Sequence, residues 1–252
     1  MTLRAFVTAV GTEALLYLRG FFGPFFTFVF PLLMLVLFGS IYGNEPTPFY
    51  NGLGAMDASV PAYLGLVVAV NGLMTLPLTL AEYQDKRVYR RFDATPCGKG
   101  GVILAQITLC LVSSILGAAV MLVAGVVLYD IQITGSLLTI AAVTLLSLTA
   151  MFAIGFFIAS VLRSVKAVNL VSYIVFFVMM FISGATLPHE MFPEGVKAFA
   201  GALPLTHVVR LSKDAFQGVS LLTDWVSLLV LLGVTAACGL LGLLLYRRRR
   251  WA

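Results

Sequence analysis

Residues 100–129 read GGVILAQITLCLVSSILGAAVMLVAGVVLY. No Asp, Glu, Lys, Arg or His interrupts this run, and Gln106, Ser113 and Ser114 are among its few hydrogen-bonding side chains. A helix needs ~20 apolar residues to cross the hydrocarbon layer of a bilayer, so this run exceeds one crossing. Five further charge-free runs accompany it, from Gly20 to Gly43, Val60 to Ala81, Ile131 to Leu162, Ala167 to Leu187 and Trp225 to Tyr246. Across all 252 residues, 60% are hydrophobic and only 11% charged, with mean hydropathy +1.02. A water-soluble domain carries charge on roughly a quarter of its residues. The expected fold is therefore an all-α integral membrane protein with six transmembrane helices, forming one transmembrane domain over residues 1–252.

Only Asp130 and its neighbours separate the third and fourth runs, which read as a tight helical hairpin with tilt or interfacial ends. Six crossings put both termini on one side. That side collects Arg4, Arg19, Lys86, Arg87, Arg90, Arg91, Lys99, Arg163, Lys166 and Arg247 to Arg250, whereas Lys197, Arg210 and Lys213 fall on the other. Thirteen basic residues against three place both ends in the cytosol of a cell-membrane protein and the segment from Pro188 to Asp224 outside. The first run is too long for a signal-peptide core and is expected to be a retained helix. Before it, residues 1–19 place Leu3, Phe6, Val7, Val10, Ala14 and Leu18 at helical steps, with Arg4, Thr8, Thr12 and Glu13 mostly opposite. An interfacial amphipathic helix is expected there.

Ion-driven carriers keep ionisable groups inside their spans because buried charge is costly and is retained where it works. The six runs hold none, which weakens an ion-coupled reading; hydroxyls and unwound carbonyls could still bind sodium. Asn71, Gln106, Ser113, Ser172 and similar groups read as interhelical hydrogen-bond partners, and Gly39 to Gly43 and Gly155 to Ala159 as small-residue steps that let helices approach. His189-Glu190 begins like a zinc helix, but Pro193 follows and the second histidine is missing, so no metal site is expected and His207 reads as an exposed loop residue. Cys97, Cys110 and Cys238 are scattered and read as ordinary thiols. The single Gly98-Lys99 pair is followed by Gly100, where a phosphate-binding loop needs a hydroxyl. No catalytic residue and no cofactor is expected in this chain.

Two loops carry more information. Residues 82–99 alternate Lys86, Arg87, Arg90 and Arg91 with Val88, Tyr89 and Phe92 before Pro96. This pattern suits a short surface helix offering apolar knobs and charges to a docked partner; the alternative is a basic loop that only fixes topology. The Arg163-to-Lys166 turn is a second contact candidate. Residues 188–218, with Pro188, Pro193 and Pro204, hold helical fragments too short to cross, which either dip in and return to roof a pathway or form a plain outward cap.

Ile182-Ser183-Gly184, Pro188, Pro193, Pro204-Leu205-Thr206 and Arg210, together with Thr95-Pro96, resemble the pattern of type-2 ATP-binding-cassette exporter permeases, the group of small drug-efflux and lipo-oligosaccharide export permeases. The resemblance covers nearly the whole chain, departing at Arg87-Val88, where family members often carry a Gly-Thr-like turn. It implies two permease chains, as homodimer or heterodimer, with separate cytosolic nucleotide-binding subunits that hold ATP and Mg. Arg87, Tyr89, Arg90, Arg91, Phe92, Thr95, Pro96, Arg163 and Lys166 would couple to the ATPase, with Tyr89 to Pro96 as the principal coupling helix. Gly184, Pro188, Pro193, Pro204 and Arg210 would belong to the outward re-entrant segment, and Phe25, Phe26, Phe176, Phe177, Met180 and Phe181 would line the route of an amphipathic drug, lipid or glycoconjugate. A non-transporting membrane scaffold and an ion-coupled carrier stand as alternatives.

Overall fold

The computed structural model describes residues 3–47, 52–92, 98–186 and 192–248. Among them every regular element is helical. α1 (Leu3–Arg19) leads into a first span built from α2 (Phe22–Pro24), a π-helical turn (Phe25–Val29) and α3 (Phe30–Tyr42). The second span joins α4 (Ala55–Val70), a π-helical turn (Asn71–Thr75) and α5 (Leu76–Asp85); α6 (Val88–Phe92) is a short turn after it. Spans three, four and five are α7 (Gly98–Tyr129), α8 (Leu137–Val161) and α9 (Val165–Ile182). α10 (Glu194–Ala200) and α11 (Pro204–Phe216) precede the last span, α12 (Trp225–Arg248). Among the described residues six helices are long and apolar enough to cross a membrane, as the charge-free runs predict.

The second span is the centre of the bundle. α4 packs against α3, α7, α8 and α11, and 83% of the span's most apolar window is buried, against 11% for α12. This placement overturns the expected hairpin, because α4 lies against both α7 and α8 while those two helices are not packed as neighbours. Residues 130–136 instead form an extended connection that starts at Asp130, a non-glycine residue with φ of +50°. The Thr134 and Gly135 amides donate to the Phe216 carbonyl at the end of α11, at 3.1 and 2.8 Å. The second helix also outruns its apolar stretch at both ends, so Asp57, Glu82 and Asp85 fall within it.

Asp57 is tolerated there because it lies part-exposed in the first turn of α4 and its carboxylate accepts several protein hydrogen bonds. Its Oδ1 accepts from Asn44 Nδ2 at 3.2 Å and the Gln132 amide at 3.0 Å, and its Oδ2 accepts from the Gly54 amide at 3.1 Å. Asn44 Oδ1 in turn accepts from the Met56 and Asp57 amides at 3.0 and 3.1 Å, so a residue beyond the end of α3 caps the start of α4. Asn44 Nδ2 also reaches the Tyr129 carbonyl at 2.9 Å. One asparagine thus ties spans one, two and three at this end of the bundle.

Lipid tails are as apolar as leucine, so close packing rather than water exclusion holds such helices together. The tightest crossing is between the second π turn and α8. A Cβ on Gly72 would stand 2.6 Å from Met151 Cβ, and one on Gly155 would collide with the Gly72 carbonyl oxygen. The small-residue step read at Gly155 is therefore occupied by a neighbouring backbone. α11, at roughly 20 Å for 13 residues, is too short to cross. Nine of its residues are buried, against α4, α8 and α12, with Arg210 exposed.

Candidate functional site

Two prolines explain the polar seam at the heart of the molecule. A proline inside a helix lacks an N–H and clashes with the carbonyl four residues earlier. Pro31 and Pro77 both sit in apolar runs, and in each case the preceding turn has widened. The Phe30 amide bonds the Phe25 carbonyl and the Leu76 amide bonds the Asn71 carbonyl, each a five-residue step ending just before the proline. π turns of this kind are rare and concentrate at functional sites.

These two turns face each other. Tyr17 of α1 donates to Thr27 Oγ1 at 2.8 Å, Thr27 donates to Asn71 Oδ1 at 3.4 Å, and Ser113 of α7 donates to the same Oδ1 at 3.1 Å. Asn71 Nδ2 is spent on the Val67 carbonyl at 3.2 Å. Thr27, Asn71 and Ser113 are buried, so α1 and three spans meet in a satisfied polar chain. Burial pushes the Tyr17 phenol up to about 12, against the opposing hydrogen bond to Thr27, which keeps it a donor.

Beside this seam lies a cavity of about 420 Å³ bounded by α1, the first π turn, α5, α7 and α9. Phe21, Phe22, Phe26 and Tyr173 form aromatic wall; Glu13, Tyr83, Gln106, Asn169 and Ser172 supply polar atoms. Glu13 is 6% exposed and points inward, contrary to the expectation that it shares a polar outer face with Arg4. The face of α1 turned to the bundle is Phe6, Val10, Glu13 and Tyr17, while Leu3, Val7, Leu15 and Leu18 point outward. Desolvation raises the Glu13 pKa, and the Tyr83 and Gln106 side chains hold it back. Gln106 is itself committed on one side, where Tyr89 donates to its Oε1 at 3.0 Å; its Nε2 is buried without an acceptor in hydrogen-bond range. The Gln106 effect on Glu13 therefore acts beyond that range.

Of the pathway candidates, Phe26 lines the cavity and Phe25 stacks on Phe21 at 5.1 Å beside it. Phe176 and Met180 are buried in the core, and Phe177 and Phe181 lie on the outer side of α9, so the six do not form one surface. In the first loop Arg87 is exposed with φ of +53°, Arg91 is exposed, and Phe92 is half-buried. Tyr89 is turned into the bundle at 2% exposure, where it anchors α6 rather than presenting a knob. Arg90 lies in α6, Arg163 in the turn between α8 and α9, and Lys166 in the first turn of α9. Thr95, Pro96 and Pro188 fall outside the described residues, as does His189. At the other end Gly184 takes φ of +82°, Pro193 caps α10 and Pro204 opens α11.

His207 is buried, not exposed as its loop position implied. Its Nδ1 meets Ser227 Oγ at 2.8 Å and its Nε2 the Gly201 carbonyl at 3.0 Å, while Ser227 donates to Asp224 at 2.5 Å. This chain fastens α11 to the start of α12. Glu13, Gln106 and Tyr17 were also missed as site residues. The only sequence signals for them were a carboxylate one helical turn from Tyr17 and the prolines at 31 and 77.

The described residues thus form a multi-pass helical bundle with a central polar seam and, beside it, a cleft open at its aromatic wall. The chain belongs to the ABC-2 type transporter family, which it matches over residues 4–216. It is thus the membrane component of an ABC transporter. It is also 26% identical over 180 residues to the inner membrane transport permease YhhJ of Escherichia coli, and equally to that of Shigella flexneri. That match covers 71% of this chain but 43% of the relatives, so the chain spans about two-fifths of their length in the match.

Proposed function

We propose that this chain is the permease of an ATP-driven exporter that moves an amphipathic solute out of the cytosol or inner leaflet. The family match over residues 4–216 carries this reading. In it, separate cytosolic ATPase subunits hold ATP and Mg, and two permease chains complete the transporter. The basic end of the bundle, with Lys86, Arg87, Arg91, Arg163 and Lys166, faces the cytosol together with both termini, because basic residues are retained on that side. Residues 82–99 dock the ATPase, α1 lies along the cytosolic interface, and the segment 188–218 with α10 and α11 is re-entrant from outside.

The inward Tyr89 refines the docking surface. Tyr89 fixes α6 to α7 through Gln106, leaving exposed Arg87 and Arg91 beside Phe92 to meet the partner. ATP-driven movement of that partner shifts the spans only through its different affinity for their two arrangements. Arg87→Glu combined with Phe92→Ala is expected to abolish co-purification of the ATPase while the permease stays monodisperse. Normal association and transport in that variant would remove this loop from coupling, and solute movement that collapses with an ion gradient rather than with ATP would favour a carrier.

A further inference from the structure

Asp224, Ser227, His207 and Gly201 are joined by three hydrogen bonds, but a neutral imidazole and one hydroxyl bring only two hydrogens to them. The Gly201 carbonyl only accepts, so His207 Nε2 at 3.0 Å carries a proton. Ser227 Oγ gives its one hydrogen to Asp224 Oδ2 at 2.5 Å. The 2.8 Å contact between Ser227 Oγ and His207 Nδ1 then takes its hydrogen from the ring, and a ring protonated on both nitrogens is an imidazolium. The other assignment, a neutral ring and a protonated Asp224, works against the position of that carboxylate. Asp224 immediately precedes α12 and accepts from the Ser227 amide at 3.2 Å, at a helix N-terminus where negative charge is favoured. His207 is 3% exposed, and a cation buried to that extent needs a counter-charge, which Asp224 supplies through one hydroxyl.

Around this string, Arg210 of α11 is exposed, Lys213 and Asp214 are half-buried, and Asp214 lies within electrostatic range of both Arg210 and Asp224. Glu194 and Lys197 of α10 pair with each other at 3.1 Å. Of the helices packed on α11, α8 carries no titratable side chain, and α4 brings Tyr63 and Asp57, the latter bound to Asn44 and Gln132. α9 brings Lys166 in its first turn and Tyr173 beside the aromatic cleft. The titratable groups of α12 itself are Cys238 and, at its far end, Tyr246, Arg247 and Arg248.

We propose that α11 is latched to the start of α12 by a proton: His207 is an imidazolium bridged through Ser227 to the Asp224 carboxylate, and losing the proton breaks one bond of the string and loosens α11. The latch is independent of what the chain transports and of how transport is powered.

The full chain has two histidines, so His189→Gln leaves His207 as the sole imidazole. With isotopically labelled histidine in this chain, held in nanodiscs, the ring-nitrogen resonances read its protonation between about pH 5 and pH 8, where histidine changes charge. Both nitrogens are expected to carry protons at the acid end. As the ring turns neutral, amide exchange across residues 204–216, corrected for its intrinsic pH dependence, should quicken about tenfold, the scale of one hydrogen bond to a charged group. Asp224→Asn keeps an acceptor for Ser227 but removes the charge, and should bring the change of ring charge about one pH unit or more lower. Ser227→Ala cuts the bridge and should make α11 exchange fast whatever the charge on the ring. The ring and exchange measurements on the parent chain decide the matter even if both of these variants fail to fold. A ring neutral throughout, the same titration in Asp224→Asn, or α11 exchange that does not follow the ring overturns the proposal.

Discussion

Gly155→Ala probes the crossing on which the bundle centre depends. The added methyl would collide with the Gly72 carbonyl oxygen and stand 3.1 Å from Pro77 Cδ. Neither obstacle can rotate away, since one is backbone and the other a ring, so α8 and the second span must part by about 1 Å or more to restore ordinary contact. Overpacking of this kind costs ~1–3 kcal/mol, and rigid obstacles put it at the upper end. Alanine's helix propensity returns ~1 kcal/mol, leaving a net loss of about 2 kcal/mol. For a chain of this size that lowers the melting temperature by roughly 4–8 °C. The assay is the fraction of monodisperse protein after heating in detergent, with Gly239→Ala as control, because a Cβ there meets nothing within 4 Å. A Gly155→Ala protein melting within about 1 °C of wild type would refute the close crossing.

Asn44→Ala removes the remote cap of α4 and one Asp57 partner, and should cost ~1–2 kcal/mol, read as earlier melting and faster amide exchange at residues 55–58. Glu13→Gln tests the buried carboxylate by its pH dependence. The folded pKa of Glu13 is raised above 4.5, so its protonated form fits the fold better and wild-type stability falls as pH climbs through that raised value. The variant should therefore gain on wild type with increasing pH over that window and show no gain below about pH 4.5; a pH-independent difference would contradict the assigned environment.

The spans were legible because hydrocarbon excludes charge whatever the tertiary arrangement. Their partners were not. The hairpin expected from 100–162 fails because chain neighbours need not be space neighbours when a third helix, α4, fits between them. On α1 the apolar periodicity misled for a different reason: the helix carries apolar residues on both sides, so Leu3, Val7 and Leu18 face outward and Glu13 faces in, matched to Tyr83 and Gln106 from helices far along the chain. Burial of His207 likewise depends on Ser227 and Gly201, which no local pattern connects to it. The π turns were half-legible, since Pro31 and Pro77 announce a disturbance without saying that Thr27 and Asn71 meet there.

Span two is buried on nearly every side, whereas span six packs along α8 and α11 on one side and is exposed on the other. The first can drift only when several neighbours change in concert, while the outer side of the second is free to exchange one bulky aliphatic for another. Among distant relatives, residues 60–74 should therefore vary slowly and in correlated sets, and the exposed positions of α12 should vary quickly and singly.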